Sequence, residues 1–418
     1  MFYFPFSMHP DPPVKDAPES HPPQPFATHL LTRTQAPHPL PTPIPAFPLV
    51  PPPKSDHIPS PSASHFPLHP SQMHPTAIHG RGAVGNPVGR FEPLEIEYEP
   101  AEPNAQPTKL YRDTTRNIIA FNDSPDVNFD ASVNPYRGCE HGCVYCYARP
   151  THEYLGLSAC LDFETRIFVK HDAPDLLRRE LAAPGWQPQL VALSGVTDAY
   201  QPVERKLELT RRCLQVFADF RNPVGIITKN DLVTRDIDIL QDLAAHDAID
   251  VRISITSLDK RLADRMEPRA SRPRQRLRAV ETLARSSIRV GIMIGPVVPG
   301  LNDHEISDIL RVSADAGASS ASYILLRLPL GVKELFADWL DAHYPHRKDK
   351  VLNRVRDTRG GDLYDSSYGT RMRGEGEYAD QIERMFRIAQ RRYDLDRKLS
   401  PLSTAHFRNP EGQLELGL

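Results

Sequence analysis

The chain has 418 residues, 39% hydrophobic and 25% charged, with a formal net charge of −3. That length admits one large α/β barrel or two ordinary domains, and the balanced charge argues against a uniformly basic nucleic-acid coat while leaving room for a local basic groove. With no long apolar run, no charged segment leading an apolar one and only five cysteines, neither a membrane span, a signal peptide nor a disulfide scaffold is expected.

Residues 1–79 differ from the rest: 25 of the 43 prolines fall within residues 1–100. Pro-Pro-Pro at 51–53 and repeated Pro-x-Pro leave no helical or strand period, so the segment is read as a disordered or polyproline-like tail. Its histidines lack regular ligand spacing. Ordered sequence is expected to begin at Gly80-Arg81-Gly82-Ala83. Residues 80–130 read as an extension laid on a barrel, with Tyr98, Leu110, Tyr111, Ile118 and Ile119 as packing residues.

Next comes Cys139-Glu140-His141-Gly142-Cys143-Val144-Tyr145-Cys146, directly after Asn134-Pro135-Tyr136-Arg137-Gly138. Three thiolates this close can turn toward one metal centre if the backbone wraps it, and Gly138 and Gly142 supply the φ freedom for the wrap. Zinc would ask for a second Cys or Cys/His pair, which His141 and His152 do not complete. A [4Fe–4S] cluster takes four ligands, so three cysteines leave one iron open for chemistry.

Helical turns are expected at 151–155, and then strands and helices alternate. Short apolar or β-rich runs at 165–169, 190–193, 224–228, 251–256, 290–294 and 323–326 read as strands. Amphipathic stretches at 173–181, 204–220, 236–245, 274–285 and 304–314 read as helices. Such alternation argues for parallel βαβ units, here a partial (β/α)6 TIM-type barrel. In barrels of this kind the site lies at the C-terminal strand ends. Those positions carry Ser194-Gly195-Val196-Thr197-Asp198, Lys229-Asn230-Asp231, Ser257, Gly295-Pro296 and Arg327, polar or glycine where the strand cores are apolar.

The cysteine loop, with an aromatic residue before its last cysteine, resembles the signature of the radical S-adenosylmethionine (SAM) superfamily. Its flanks, together with Gly195-Val196-Thr197-Asp198-Ala199-Tyr200-Gln201-Pro202-Val203-Glu204, resemble the spore-photoproduct-lyase-related branch. Arg81-Gly82-Ala83 with Asn86-Pro87 and Arg90-Phe91-Glu92, and Gly369-Thr370-Arg371-Met372-Arg373-Gly374, suggest a subgroup of it. The resemblance implies that Cys139, Cys143 and Cys146 ligate a [4Fe–4S] cluster whose open iron chelates SAM, and that electron transfer cleaves SAM to a 5′-deoxyadenosyl radical. It implies Tyr145 beside the adenine, Ser194 and Gly195 at the amino group, and Asp198 as the nearby acid. Ser254 faces the ribose or carboxylate, or is an ordinary strand residue. It also implies an external electron donor of flavodoxin or ferredoxin type and a reducing cytoplasm. The divisions expected are the tail at 1–79, the extension at 80–130, the core barrel at 131–335, a C-terminal helical extension at 336–408 and a free tail at 409–418.

No hydrogen-atom donor is legible. The resemblance implies a non-cluster cysteine in that role, for which Cys160 and Cys213 are the candidates; Cys213 sits on an amphipathic stretch and reads as core, and Cys160 follows a small-residue turn. Eight arginines lie between Arg265 and Arg289. Arg269, Arg272, Arg274, Arg276 and Arg278 surround the fourth βα connection, either as a phosphate track or as a solvated helix face. Three functions are therefore carried forward: a radical SAM enzyme acting on DNA or RNA, one modifying a peptide or small molecule, and a non-catalytic Fe–S carrier or scaffold.

The last six residues, Gln413-Leu414-Glu415-Leu416-Gly417-Leu418, resemble the peptide that binds the bacterial sliding clamp. Alternate leucines would form one row if the peptide were extended. A labelled peptide of residues 409–418 is expected to bind purified clamp weakly and saturably, and Gln413→Ala with Leu416→Ala to remove that binding. Equal binding by the substituted peptide would refute the match.

Overall fold

The computed structural model describes residues 80–83 and 107–412. The expected 1–79 tail, Tyr98 and the 413–418 peptide fall outside the described residues. The strands in chain order are β1 (Lys109–Arg112), β2 (Ile119–Phe121), β3 (Ala131–Val133), β4 (Tyr136–Arg137), β5 (Arg166–Val169), β6 (Val191–Leu193), β7 (Val224–Thr228), β8 (Ile249–Ser254), β9 (Val290–Val297) and β10 (Ala321–Leu325).

Six of them, β3 and β6 to β10, run parallel in the order β10-β9-β8-β7-β6-β3, and β2 adds antiparallel to β3. Helices connect the successive parallel strands from β6 onward. This is the partial (β/α)6 barrel. Strand β8 shows how the sequence specifies it: Ile249, Val251 and Ile253 join the core beneath the helices. Asp250, Arg252 and Ser254 turn to the other face by the period of two. There the buried Arg252 pairs with Asp250 at 3.0 Å and reaches Ser320 Oγ at 3.0 Å.

The run at 165–169 does not join the barrel. As β5 it lies between β1 and β4 in a separate three-stranded sheet, and the barrel's first strand is β3. Three residues are too few for a period of two to stand out in the sequence. In β1, Leu110 and Tyr111 are exposed, Tyr111 stacking on Phe168 at 5.1 Å between centroids. Ile118 and Ile119 are buried, as expected. The stretch 204–220 is two helices, Glu204–Leu207 and Leu209–Phe220, divided at Glu208 with φ 51°. The Glu204 carboxylate accepts the Thr210 N–H at 3.1 Å, partnering an amide that a new helix start leaves free.

Edges β2 and β10 do not pair with each other. The segment 369–374 packs on β10 and also reaches the 124–129 loop between β2 and β3. Met372 is buried with Val127, Phe129 and Ala192. Arg371 pairs with Asp126 and donates to Ser124 Oγ at 2.6 Å. Helices Val332–His343, Lys348–Asp357 and Glu377–Arg392 form the C-terminal extension. The chain is still held at residue 409, where Asn409 Nδ2 donates to the Ala182 carbonyl at 3.1 Å. Among the described residues, no helix is long and apolar enough to cross a membrane.

Candidate functional site

The cysteine loop leaves β4 through Gly138 at φ 80° and turns again at Gly142, φ 66°, both in the region that disfavours a side chain. Its backbone polar groups are bound on every side. Gln201 brackets the start, donating to the Gly138 carbonyl at 3.1 Å and accepting the Glu140 N–H at 2.9 Å. The Cys139 N–H reaches the Phe163 carbonyl at 2.8 Å, and the Val144 N–H the Met266 carbonyl at 3.1 Å. Arg149, fully buried, donates Nε to the Cys143 carbonyl at 2.9 Å and Nη1 to the Cys160 carbonyl at 2.8 Å.

Arg149 is neutralised by Glu164, also fully buried, at 2.5 Å. The same carboxylate accepts the N–H groups of Gly82 at 3.0 Å and Ala83 at 2.9 Å. That docks Arg81-Gly82-Ala83 directly on the loop. A Cβ at Gly82 would stand 1.9 Å from the Gly142 carbonyl oxygen, so only glycine fits there. On the outer side, Glu140 accepts from Thr108 Oγ1 at 2.6 Å and pairs with Arg269 at 3.0 Å.

The three cysteines open into one cavity at the C-terminal ends of the parallel strands. Tyr145, Ser194, Asp198, Lys229, Ser254 and Arg327 line it with them. Burial first, then the neighbouring Asp198, Cys143 and Cys146, push the Cys139 thiol up; burial and Glu267 do the same to Cys143. Without a cation such thiols stay protonated, and a bound metal centre would convert them to thiolates. Among the described residues, no three His, Cys, Asp or Glu side chains close on a single-ion position. A polynuclear cluster makes a different demand, since each thiolate takes a separate iron and the sulfurs stand apart around it. The donor set, three thiols on one wrapped loop facing one cavity, fits that demand.

Asp198 is a supporting residue as much as a lining one. Its carboxylate accepts from Thr228 Oγ1 at 2.7 Å and the Lys229 N–H at 2.8 Å, and lies 3.3 Å from His141 Nδ1. Burial pushes its pKa up, but His141 and these hydrogen bonds outweigh that and hold it at about 2. Tyr145 donates to Glu267, which pairs with the buried Arg276. Burial would raise the Glu267 carboxyl, and Arg276 with Lys229 brings it below the usual range. Lys229 Nζ donates to Ser254 Oγ at 3.1 Å and lies 5.9 Å from the Tyr145 ring centroid.

Of the residues singled out in the sequence, Cys139, Cys143, Cys146, Tyr145, Ser194, Asp198 and Ser254 line the cavity. Gly195 lies just behind it, its carbonyl accepting from Tyr147. Cys160 is not among the lining residues: it is 3% exposed in the core under the loop, and burial pushes its thiol up to about 12. Cys213 is core, as expected. Arg276 leaves the arginine surface, because it is buried and paired beneath Tyr145. Glu164 and Glu267 are not singled out as site residues in the sequence, while Lys229 appears there only as a strand-end residue and Gln201 only as part of a motif. A charged residue inside an apolar run, as in Leu161-Asp162-Phe163-Glu164, was the available signal for the first.

Glu164→Ala would strand Arg149 and two amides, so a loss of about 3–5 kcal/mol is expected in denaturant unfolding. Gly82→Ala should lower the iron retained after anaerobic reconstitution by displacing segment 80–83 from the loop. Wild-type unfolding midpoint and iron content in both variants would show that this packing does not support the loop.

The radical SAM superfamily model matches residues 133–312. An uncharacterized protein of Mycobacterium tuberculosis is 32% identical over 248 residues, covering 59% of this chain and 72% of that one. An uncharacterized protein of Methanocaldococcus jannaschii is 28% identical over 223 residues, covering 53% and 80%. Among solved structures, spore photoproduct lyase complexed with dinucleoside spore photoproduct is similar with TM-score 0.49 and 17% identity, over 68% of this chain and 79% of that one. With its cysteine loop at the mouth of a six-stranded parallel barrel, the chain belongs to the radical SAM superfamily of enzymes.

Proposed function

We propose that Cys139, Cys143 and Cys146 hold a [4Fe–4S] cluster, and that the enzyme uses it to cleave SAM reductively and act on nucleic acid. The observation that carries the first part is the opening of all three cysteines into one cavity at the C-terminal strand ends. When bound, cluster and SAM together would supply a 5′-deoxyadenosyl radical. The chain's own contribution is to orient and to exclude water. Lys229, held against Ser254, offers a positive charge to a carboxylate in the cavity. Tyr145 presents an aromatic face suited to a purine, its hydroxyl fixed by Glu267. Ser194, in the left-handed region at φ 86°, donates to the Thr197 carbonyl at 2.5 Å and so shapes the strand end beside the cysteines.

Support for nucleic acid comes from the arginines that remain on the surface. Arg272, Arg274 and Arg278 are exposed around the start of helix Pro273–Arg285, which follows β8. Arg272 has only a solvent-screened partner, Asp264 at 3.4 Å, so the group keeps charge available for phosphates. Arg269 is committed to Glu140 and belongs to the loop's support instead.

Alanine at any one of Cys139, Cys143 or Cys146 should reduce 5′-deoxyadenosine formation by the reconstituted protein to background. Product at the wild-type rate from the triple variant would overturn the assignment. Replacing Arg272, Arg274 and Arg278 together by Gln should weaken DNA or RNA binding and flatten its log–log salt slope by about 2–3, as fewer counterions are released. An unchanged slope would return these arginines to a solvated helix face.

A further inference from the structure

Six arginines are buried among the described residues: Arg149, Arg252, Arg276, Arg327, Arg359 and Arg371. Four are paired with a carboxylate, namely Glu164, Asp250, Glu267 and Asp126 respectively for Arg149, Arg252, Arg276 and Arg371. Arg359 makes no direct ion pair among the described residues, though Asp365 and Glu375 act on it from nearby, and it gives Nη1 to the Thr370 carbonyl at 2.9 Å and Nη2 to the Leu326 carbonyl at 2.8 Å. Arg327 is different. It is 9% exposed, its Nε has no acceptor, and its one hydrogen-bond contact is Nη1 to the Met372 thioether sulfur at 3.6 Å, a weak acceptor. Its guanidinium lies 5.2 Å from the Tyr147 ring centroid, and the residue lines the cavity.

A guanidinium cannot discharge itself by deprotonation, so burying one without an anion is costly. The cost rises here because Arg359 is near enough for the two positive charges to repel. Burial first, then Arg327, lower the Arg359 pKa to about 10. Asp365 and Glu375 offset part of the Arg359 charge, whereas Arg327 opens into the cavity without a carboxylate partner among the described residues. A planar fork of donors suits an oxyanion with two acceptor atoms. Lys229 and Ser254 already offer a cation and a hydroxyl beside Tyr145. Arg327 stands instead with Tyr147, which follows the last cysteine, and with the segment 369–374 through Met372.

We propose that Arg327 is the anion-binding subsite for the substrate, holding a phosphodiester oxygen pair next to the group that reacts. The phosphodiester rests on the nucleic-acid reading above; the anion subsite rests on Arg327 alone. The 369–374 segment is then part of the substrate wall: Met372 seats the guanidinium, and Arg371 locks the segment to Asp126.

The full-length, anaerobically reconstituted protein is titrated calorimetrically with inorganic phosphate, with the dinucleotide thymidylyl-thymidine and with SAM, as wild type, Arg327→Gln and Arg327→Lys. Wild type should bind phosphate and, more tightly, the dinucleotide. Arg327→Gln should weaken both by tenfold or more with SAM affinity held within twofold, and Arg327→Lys should fall between. The ligand-free Tm of Arg327→Gln should equal or exceed that of wild type, because an uncompensated buried charge has been removed. A Tm fall of more than about 4 °C would make Arg327 a structural residue and overturn the proposal. Loss of SAM affinity with phosphate binding unchanged would overturn it too, assigning Arg327 to the cofactor. Phosphate binding that depends on Arg327, without tighter binding of the dinucleotide, would support the anion subsite while the nucleic-acid reading fails.

Discussion

Glu164 has no contact with solvent, and a carboxylate in that position holds only if its oxygens are fully engaged. Arg149 and the amides of residues 82 and 83 engage them, and each of those partners belongs to a different part of the site. Arg149 grips the loop from beneath through the Cys143 carbonyl, and residues 80–83 cover it. One buried charge therefore couples the lining of the cavity to a segment more than fifty residues upstream of it. The second charged staple, Glu267 with Arg276, repeats the device on the other side of Tyr145. Between the two, the loop is held from both sides.

The same economy explains the motif after β6. Asp198, Gln201 and Glu204 are spaced so that each reaches a different part of the first strand's exit: His141, the Gly138–Glu140 backbone and the Tyr136 hydroxyl. Asp198, which the family resemblance places at the cofactor, belongs with Gln201 and Glu204 to the frame around the cysteine loop. Displacing one would shift the cysteines rather than remove them.

Much of this was legible from residue order. The strand and helix alternation gave five of the six barrel strands, because runs such as Val224–Thr228 are mostly apolar and are followed by polar residues. The cysteine spacing located the loop. What could not be read were long-range pairings. Nothing local in Arg276 distinguishes it from its exposed neighbours Arg274 and Arg278; only the position of Glu267 under Tyr145 does. Strand β3 escaped notice because it has three residues. Arg327 was visible as a polar residue at a strand end, whereas its lack of a carboxylate partner is a property of the folded chain.

The tie between Arg371 and Asp126 spans 245 residues of sequence. Loop closure of that length comes late, since the entropy of joining distant segments must be met before the contact can repay it. The parallel strands β6 to β10 each pair with the next strand in sequence, whereas the wall carrying Met372 docks across nearly the whole barrel sequence. The docked segment lies where edges β2 and β10 leave the sheet unpaired, touching β10 on one side and the loop between β2 and β3 on the other. One ion pair between distant parts of the sequence therefore holds the bridge over the unclosed side of the barrel.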